Sequence, residues 1–165
     1  MMDLVLDPPR GVAPVQLGMT LDEAVAAVSP WGEPKVRTRR NRPFVNISTS
    51  CDGIGVQVLL ERESRVTAIE LWWPGEGKAS STRVLLDGDD VFRTPAEEIF
   101  QRAAARGRTV DDSQVEYPVV PGVSLGFTRQ TSQEVPRDSE GLPLYVTSVL
   151  IGGEGYYDFR YENRD

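Results

Sequence analysis

The sequence predicts an α+β fold, with two helices on one face of a mostly antiparallel sheet, built from two similar helix-plus-meander halves. Three observations predict it. A short apolar run ending in aspartate occurs twice, as Leu4-Val5-Leu6-Asp7 and as Val84-Leu85-Leu86-Asp87. Each is followed by a helix-start signal, Thr20-Leu21-Asp22-Glu23 and then Thr94-Pro95-Ala96-Glu97. Behind each signal come three strand-like runs. The 165 residues suit a single domain, with internal halves 1–78 and 79–165.

Leu4-Val5-Leu6 is a short strand candidate, ended by Pro8-Pro9. Thr20 reads as an N-cap whose hydroxyl accepts from the Glu23 amide, while the Glu23 carboxylate returns to Thr20, a capping box. Leu21, Ala24, Val25 and Val28 give that helix its apolar stripe, and Ser29-Pro30 ends it. Three strands are expected next. Val45 and Ile47 alternate with polar residues, Val56, Val58 and Leu60 share one side, and Thr67, Ile69, Leu71 and Trp73 share one side of the third. Cys51-Asp52-Gly53 and Arg62 to Arg65 supply turns. Pro74 to Ser81, rich in turn formers, is the boundary between the halves.

In the second half, Thr94 is expected as N-cap, Pro95 at the first helical position and Glu97 as the other half of a capping box. Ala96, Ile99, Phe100 and Ala103 form one face, and Gly107 fits a C-terminal cap. Strands are expected near Val115–Val120, Val123–Arg129 and Leu144–Ile151, the first two joined at Pro121-Gly122. Thr131 to Leu142 reads as a long loop.

Composition excludes more chemistry than it suggests. There is no histidine, so a Ser-His-Asp triad, a Cys-His pair and a His-bearing zinc site are impossible. Cys51 is the only cysteine, which rules out an internal disulfide and a Cys-based zinc site. No P-loop or dinucleotide glycine fingerprint occurs. Asp87-Gly88-Asp89-Asp90 lacks the later glutamate of an EF-hand loop. The reading is therefore of no enzyme, no cofactor and no metal. A net charge of −7 argues against nucleic acid and against an anionic membrane surface as partners, and is compatible with a basic protein. No run approaches the ~20 apolar residues of a membrane span, so a cytoplasmic protein is expected.

The run Pro8-Pro9-Arg10-Gly11-Val12-Ala13-Pro14-Val15-Gln16-Leu17-Gly18-Met19-Thr20, followed by a helix and Gly32-Glu33-Pro34, resembles a group of uncharacterised actinobacterial proteins. The second-half run Asp90-Val91-Phe92-Arg93-Thr94-Pro95-Ala96-Glu97-Glu98 resembles the same group, which brings no activity with it. Leu17-Gly18-Met19-Thr20 and its helix are also similar to the tandem helix-plus-sheet modules of the secreted beta-lactamase inhibitory proteins and the small outer-membrane assembly lipoproteins. That similarity of architecture implies a protein-binding role, although the disulfides of those families have no counterpart with one cysteine.

Two surfaces stand out. Helices on one face of a sheet leave the other face wet. Alternation places Trp72, Glu70, Gln57 and Glu61 on that side, and tryptophan is over-represented at binding hot spots. The basic run Lys35 to Arg42, with Arg39 and Arg40 at its centre, is a candidate contact for an anion or an acidic protein. The first expectation is an immunity-like or inhibitor-like protein-binding module using these residues. The alternative is a small-ligand domain with a pocket between helix and sheet lined by Phe44, Trp73 and Phe127. Partner identity and oligomeric state are not encoded in these patterns.

Overall fold

Period-two alternation and paired turn residues build the longest strands. The structure, a computed structural model, describes residues 3–38, 45–61, 64–74, 80–129, 135–153 and 155–157. In chain order the strands are β1 (Asp3–Asp7), β2 (Gly11–Val12), β3 (Val15–Gln16), β4 (Lys35–Thr38), β5 (Val45–Cys51), β6 (Ile54–Leu60), β7 (Ala68–Trp72), β8 (Arg83–Leu86), β9 (Asp89–Asp90), β10 (Val119–Val120), β11 (Leu125–Thr128) and β12 (Ser148–Gly152). The helices are α1 (Leu21–Val28) and α2 (Ala96–Ala105). Along β6, Ile54, Val56, Val58 and Leu60 are buried while the residues between them are half-buried. Asp52-Gly53 joins β5 to β6 with φ of 50° and 87°, and Asp87-Gly88 joins β8 to β9 with 51° and 89°. Two successive positive φ values are what a two-residue hairpin of matching twist requires.

The α+β class holds, and the single expected sheet is two. One sheet has the order β3-β2-β1-β8-β9, the other β10-β11-β12-β7-β6-β5-β4. The apolar runs at Leu4 and Val84 pair with each other in parallel, Leu4 opposite Val84, rather than joining the meanders. A parallel partner needs a long crossover, which α1 and the first meander supply. The other strand pairs are antiparallel. Each half contributes a helix and a meander, and the meanders meet where β7 pairs with β12. This does not establish a duplication, because β10 has two residues where β5 has seven.

Both sheets and both helices feed one core. Leu4 and Leu6 of β1, Val84 and Leu86 of β8, and Ile69 and Leu71 of β7 belong to the same buried cluster as Val28 of α1 and Phe100 of α2. Phe100 meets Phe127 of β11 edge-on at 5.2 Å, which seats α2 on the core face of the larger sheet. Gly32, just past α1, lies so close to Thr49 and Ser50 of β5 that a Cβ there would strike the Ser50 carbonyl.

The helix ends differ in an instructive way. Thr20 closes the expected capping box, with the Glu23 amide 3.3 Å from the Thr20 hydroxyl and the Thr20 amide 3.2 Å from Glu23. In α2 the cap is Pro95, not Thr94, and no side chain caps it. Two tertiary contacts explain the change. Ala96 donates its amide to the Leu144 carbonyl at 2.8 Å, and Glu97 turns to Arg129 rather than back to the helix. Gly107 (φ 85°) does end α2, with the Arg108 and Gly107 amides returning to Ala103 and Ala104. The strand expected from Val115 shrinks to Val119–Val120, and Val115 is exposed.

Arg129, at the end of β11, is 2% exposed. Its guanidinium donates to the Pro143 carbonyl at 2.8 Å, to Glu97 at 2.9 Å and to Asp138 at 3.0 Å. The expected long loop is thus tied down at Asp138, whose carboxylate also accepts the Glu140 and Leu142 amides. Replacing Arg129 by Ala removes a buried guanidinium and leaves the largely buried Asp138 carboxylate without its cation, so a loss of about 3 kcal/mol is expected in urea unfolding. An unchanged midpoint would show that the guanidinium holds nothing.

Candidate functional site

Pairing register assigns every residue of the large sheet to a face, because directly opposed residues point the same way. Ile69, Val58 and Ile47 lie opposite one another and are buried in the core. The residues between them form a second face. One row runs Lys35, Ser48, Gln57, Glu70, Leu150, and the next runs Ser50, Gly55, Trp72, Ser148. Gln57 and Glu70 are therefore cross-strand neighbours, with Trp72 one pleat further along β7. The basic run Lys35 to Arg42 begins as the strand β4, which carries Lys35 and Arg37 onto this same face.

This face is less open than alternation alone implies. Gln57, Glu70 and Trp72 are each half-buried, and Ala68 is fully buried. The cover comes from the chain beyond β12. Tyr156 lies over Gly152 and Tyr157 over Gly126, so closely that a Cβ at either glycine would collide with the ring above it. The two rings meet edge-to-face at 5.3 Å. Glu61 is drawn into the same group, its carboxylate accepting from the Tyr156 hydroxyl at 2.9 Å and lying 2.9 Å from the Thr67 hydroxyl. Thr67 is thereby half-buried rather than in the core. Toward β4 the cover ends, and Ser50, Lys35 and Arg37 are exposed. Arg39, Arg40 and Phe44 lie outside the described residues.

The electrostatics follow from partial burial. Desolvation pushes the Glu70 carboxyl above its usual value, opposed by the Ser148 hydroxyl at 3.3 Å. Burial, then the charge and hydrogen bond of Glu61, push the Tyr156 hydroxyl well above the usual phenol value, so it stays a donor. Cys51, expected in a turn, is the last residue of β5 and is buried, and desolvation raises its thiol.

The expected ligand pocket is not assembled as drawn. Phe127 is 2% exposed, with Phe100 against it and Arg129 5.8 Å above the Phe100 ring. Trp73 instead lines a separate hollow of about 350 Å³ with Ile54, Thr82, Phe92 and Arg93. Its wall is pinned by Asp52, which accepts from the Ser81 and Thr82 amides at 2.7 and 3.1 Å. The aspartates of the Asp87-Gly88-Asp89-Asp90 turn are engaged by arginines: Asp87 by Arg108, Asp89 by Arg102, and Asp90 by Arg93 at 2.6 Å. No group of three or more metal-ligating side chains occurs among the described residues, and no helix among them is long and apolar enough to cross a membrane.

Sequence reasoning named Trp72, Glu70, Gln57 and Glu61 and missed how tightly the tyrosines seat. A signal was present at Gly126, since an isolated glycine inside a strand often marks a close approach, whereas Gly152, followed by Gly153, has the composition of a turn. The geometry defines an α+β protein with one buried and one partly covered sheet face. Comparison with protein-family models, curated proteins and solved structures gives no match.

Glu70 supplies a pH signature. Its folded-state value is raised, so the stability linked to its proton is complete below the unfolded value near 4.5 and is lost as pH rises through the folded value. Glu70→Gln should therefore be more stable than wild type near neutral pH, the gain fading as pH falls through the raised folded value and gone once pH is below 4.5. Thermal melts of both proteins across that range would measure it; a constant difference would remove burial as the cause.

Proposed function

We propose that the chain is a non-enzymatic, cytoplasmic protein-binding module of immunity or inhibitor type, docking through the second face of the seven-stranded sheet. One observation carries the reading. Trp72, Glu70 and Gln57 sit side by side on adjacent strands of that face, while the helices that meet the sheet do so on its core side. A half-buried tryptophan next to polar side chains offers a partner a large apolar contact with hydrogen-bonding groups around it. The net charge of −7 favours encounter with a basic protein over distance. At the rim of the face the local charge has the opposite sign, and contact there follows the local charge.

A small-ligand domain is the second reading, and it draws on the hollow at Trp73. Its volume lies within the range of ligand pockets, and Ser80, Thr82, Asp90 and Arg93 set polar groups against the apolar side made by Ile54, Trp73 and Phe92. Quenching of Trp73 fluorescence by a bound small molecule, lost in Trp73→Phe, would favour it.

For the docking face, purified proteins of basic and acidic character are screened against wild type and Trp72→Ala. A partner should bind the variant roughly tenfold or more weakly, at an unchanged melting temperature. Equal affinity for both would sink the role of this face.

A further inference from the structure

The rim of the docking face is also the open edge of the sheet. The strand β4 ends the order of the seven-stranded sheet, and all four of its residues are exposed. Alternate residues of such an antiparallel edge turn their N–H and C=O groups outward, where another strand can pair with them. Val36 is 44% exposed on the core side of the edge. Lys35 and Arg37 point to the docking face, opposite Ser48 and Asn46 of β5.

Those two cations are unlike the others. Arg10, Arg83, Arg93, Arg102, Arg106, Arg108 and Arg129 each hold a carboxylate, while Arg65 and Arg137 donate to backbone carbonyls. Among the described residues, Lys35 and Arg37 have no such partner. They border a shallow hollow with Glu33, Ser48 and Ser50, so hydroxyl donors lie beside them. In a chain of net charge −7, uncompensated positive charge is thus gathered on a free strand edge.

We propose that β4 receives an extended acidic segment of a partner protein by strand addition. The main chain of the segment pairs with the free edge of β4, and carboxylates on alternate residues reach Lys35 and Arg37. The two cations are two residues apart on one strand, about 7 Å, the spacing of side chains on one side of an added strand. The recognised element is therefore an Asp/Glu-x-Asp/Glu strand. A second copy of this chain is a poor occupant, because antiparallel pairing of two β4 edges would oppose their cations. The proposal rests on the protein-binding reading above and names the chemistry of the partner at its rim.

The test uses the isotope-labelled full chain and a peptide of about ten residues in which Glu alternates with Val and Thr. Added at millimolar concentration, it should shift and slow the exchange of amides in 35–38. Its affinity should fall with salt and drop roughly tenfold or more in K35E/R37E, whose fold is checked by circular dichroism. Three results would overturn strand addition: no slowing at β4, equal binding of a peptide with Lys in place of Glu, or equal binding of a peptide interrupted by proline. Shifts centred on Trp72 with β4 unchanged would also overturn it while leaving the docking-face reading standing. Loss of a screened partner's preference for Trp72 would remove that reading and leave the β4 result to be judged by its own amides.

Discussion

The pairing of β7 with β12 is the constraint on which the rest depends. Ala68 to Trp72 run antiparallel to Ser148 to Gly152 over five residues, and this ladder fuses the meanders of the two halves into one sheet. It also sets the parity of every neighbouring strand. Ile69 and Leu71 enter the core opposite Ile151 and Val149, and Glu70 and Trp72 emerge on the other side opposite Leu150 and Ser148. A slip of one residue would exchange the faces, burying Glu70 in the core and exposing Ile69 and Leu71. The apolar mass of those side chains makes the slip costly, at roughly 1.5–3 kcal/mol for each aliphatic side chain moved into water.

Charge is distributed by a similar logic. The aspartates after β8 could have been a cation loop, yet they face the arginines of α2 and the residues beyond it and hold that helix beside the smaller sheet. Exposed pairs of this kind add little individually. Arg129 is different because it is buried and its donors join α2 at Glu97 to the loop segment that carries Asp138 and Pro143. Unpaired positive charge among the described residues is left at β4, where the sheet ends.

On the second face, the cover among the described residues is made by two tyrosines rather than by a helix. Two glycines on neighbouring strands leave a recess, two tyrosines fill it, and the Tyr156 hydroxyl ties the cover to Glu61. Among the described residues, that cover lies over β11 and β12, extends to Glu61 past the end of β6, and does not reach β4. Burial consequently grades across the face, from Ala68 under cover, through half-buried Glu70 and Trp72, to exposed Lys35 at the edge.

Local patterns in the sequence determined the elements: the capping box at Thr20, the paired turn residues at Asp52-Gly53, the glycine after α2 and the alternation along β6 all act within a few residues of themselves. The same alternation placed Trp72, Glu70 and Gln57 together, since a pleat has a period of two wherever the strand lies. What the sequence could not decide was which strands meet. Leu4 and Val84 find each other across eighty residues because each needs an apolar neighbour, and nothing within either run names its partner. The cap of α2 was lost to Leu144 and Arg129 for the same reason, as tertiary hydrogen bonds outweighed a local one. The meeting of Lys35 with the Trp72 face arose only from the summed registers of four strands, a long-range geometry that chain collapse sets and no single motif contains.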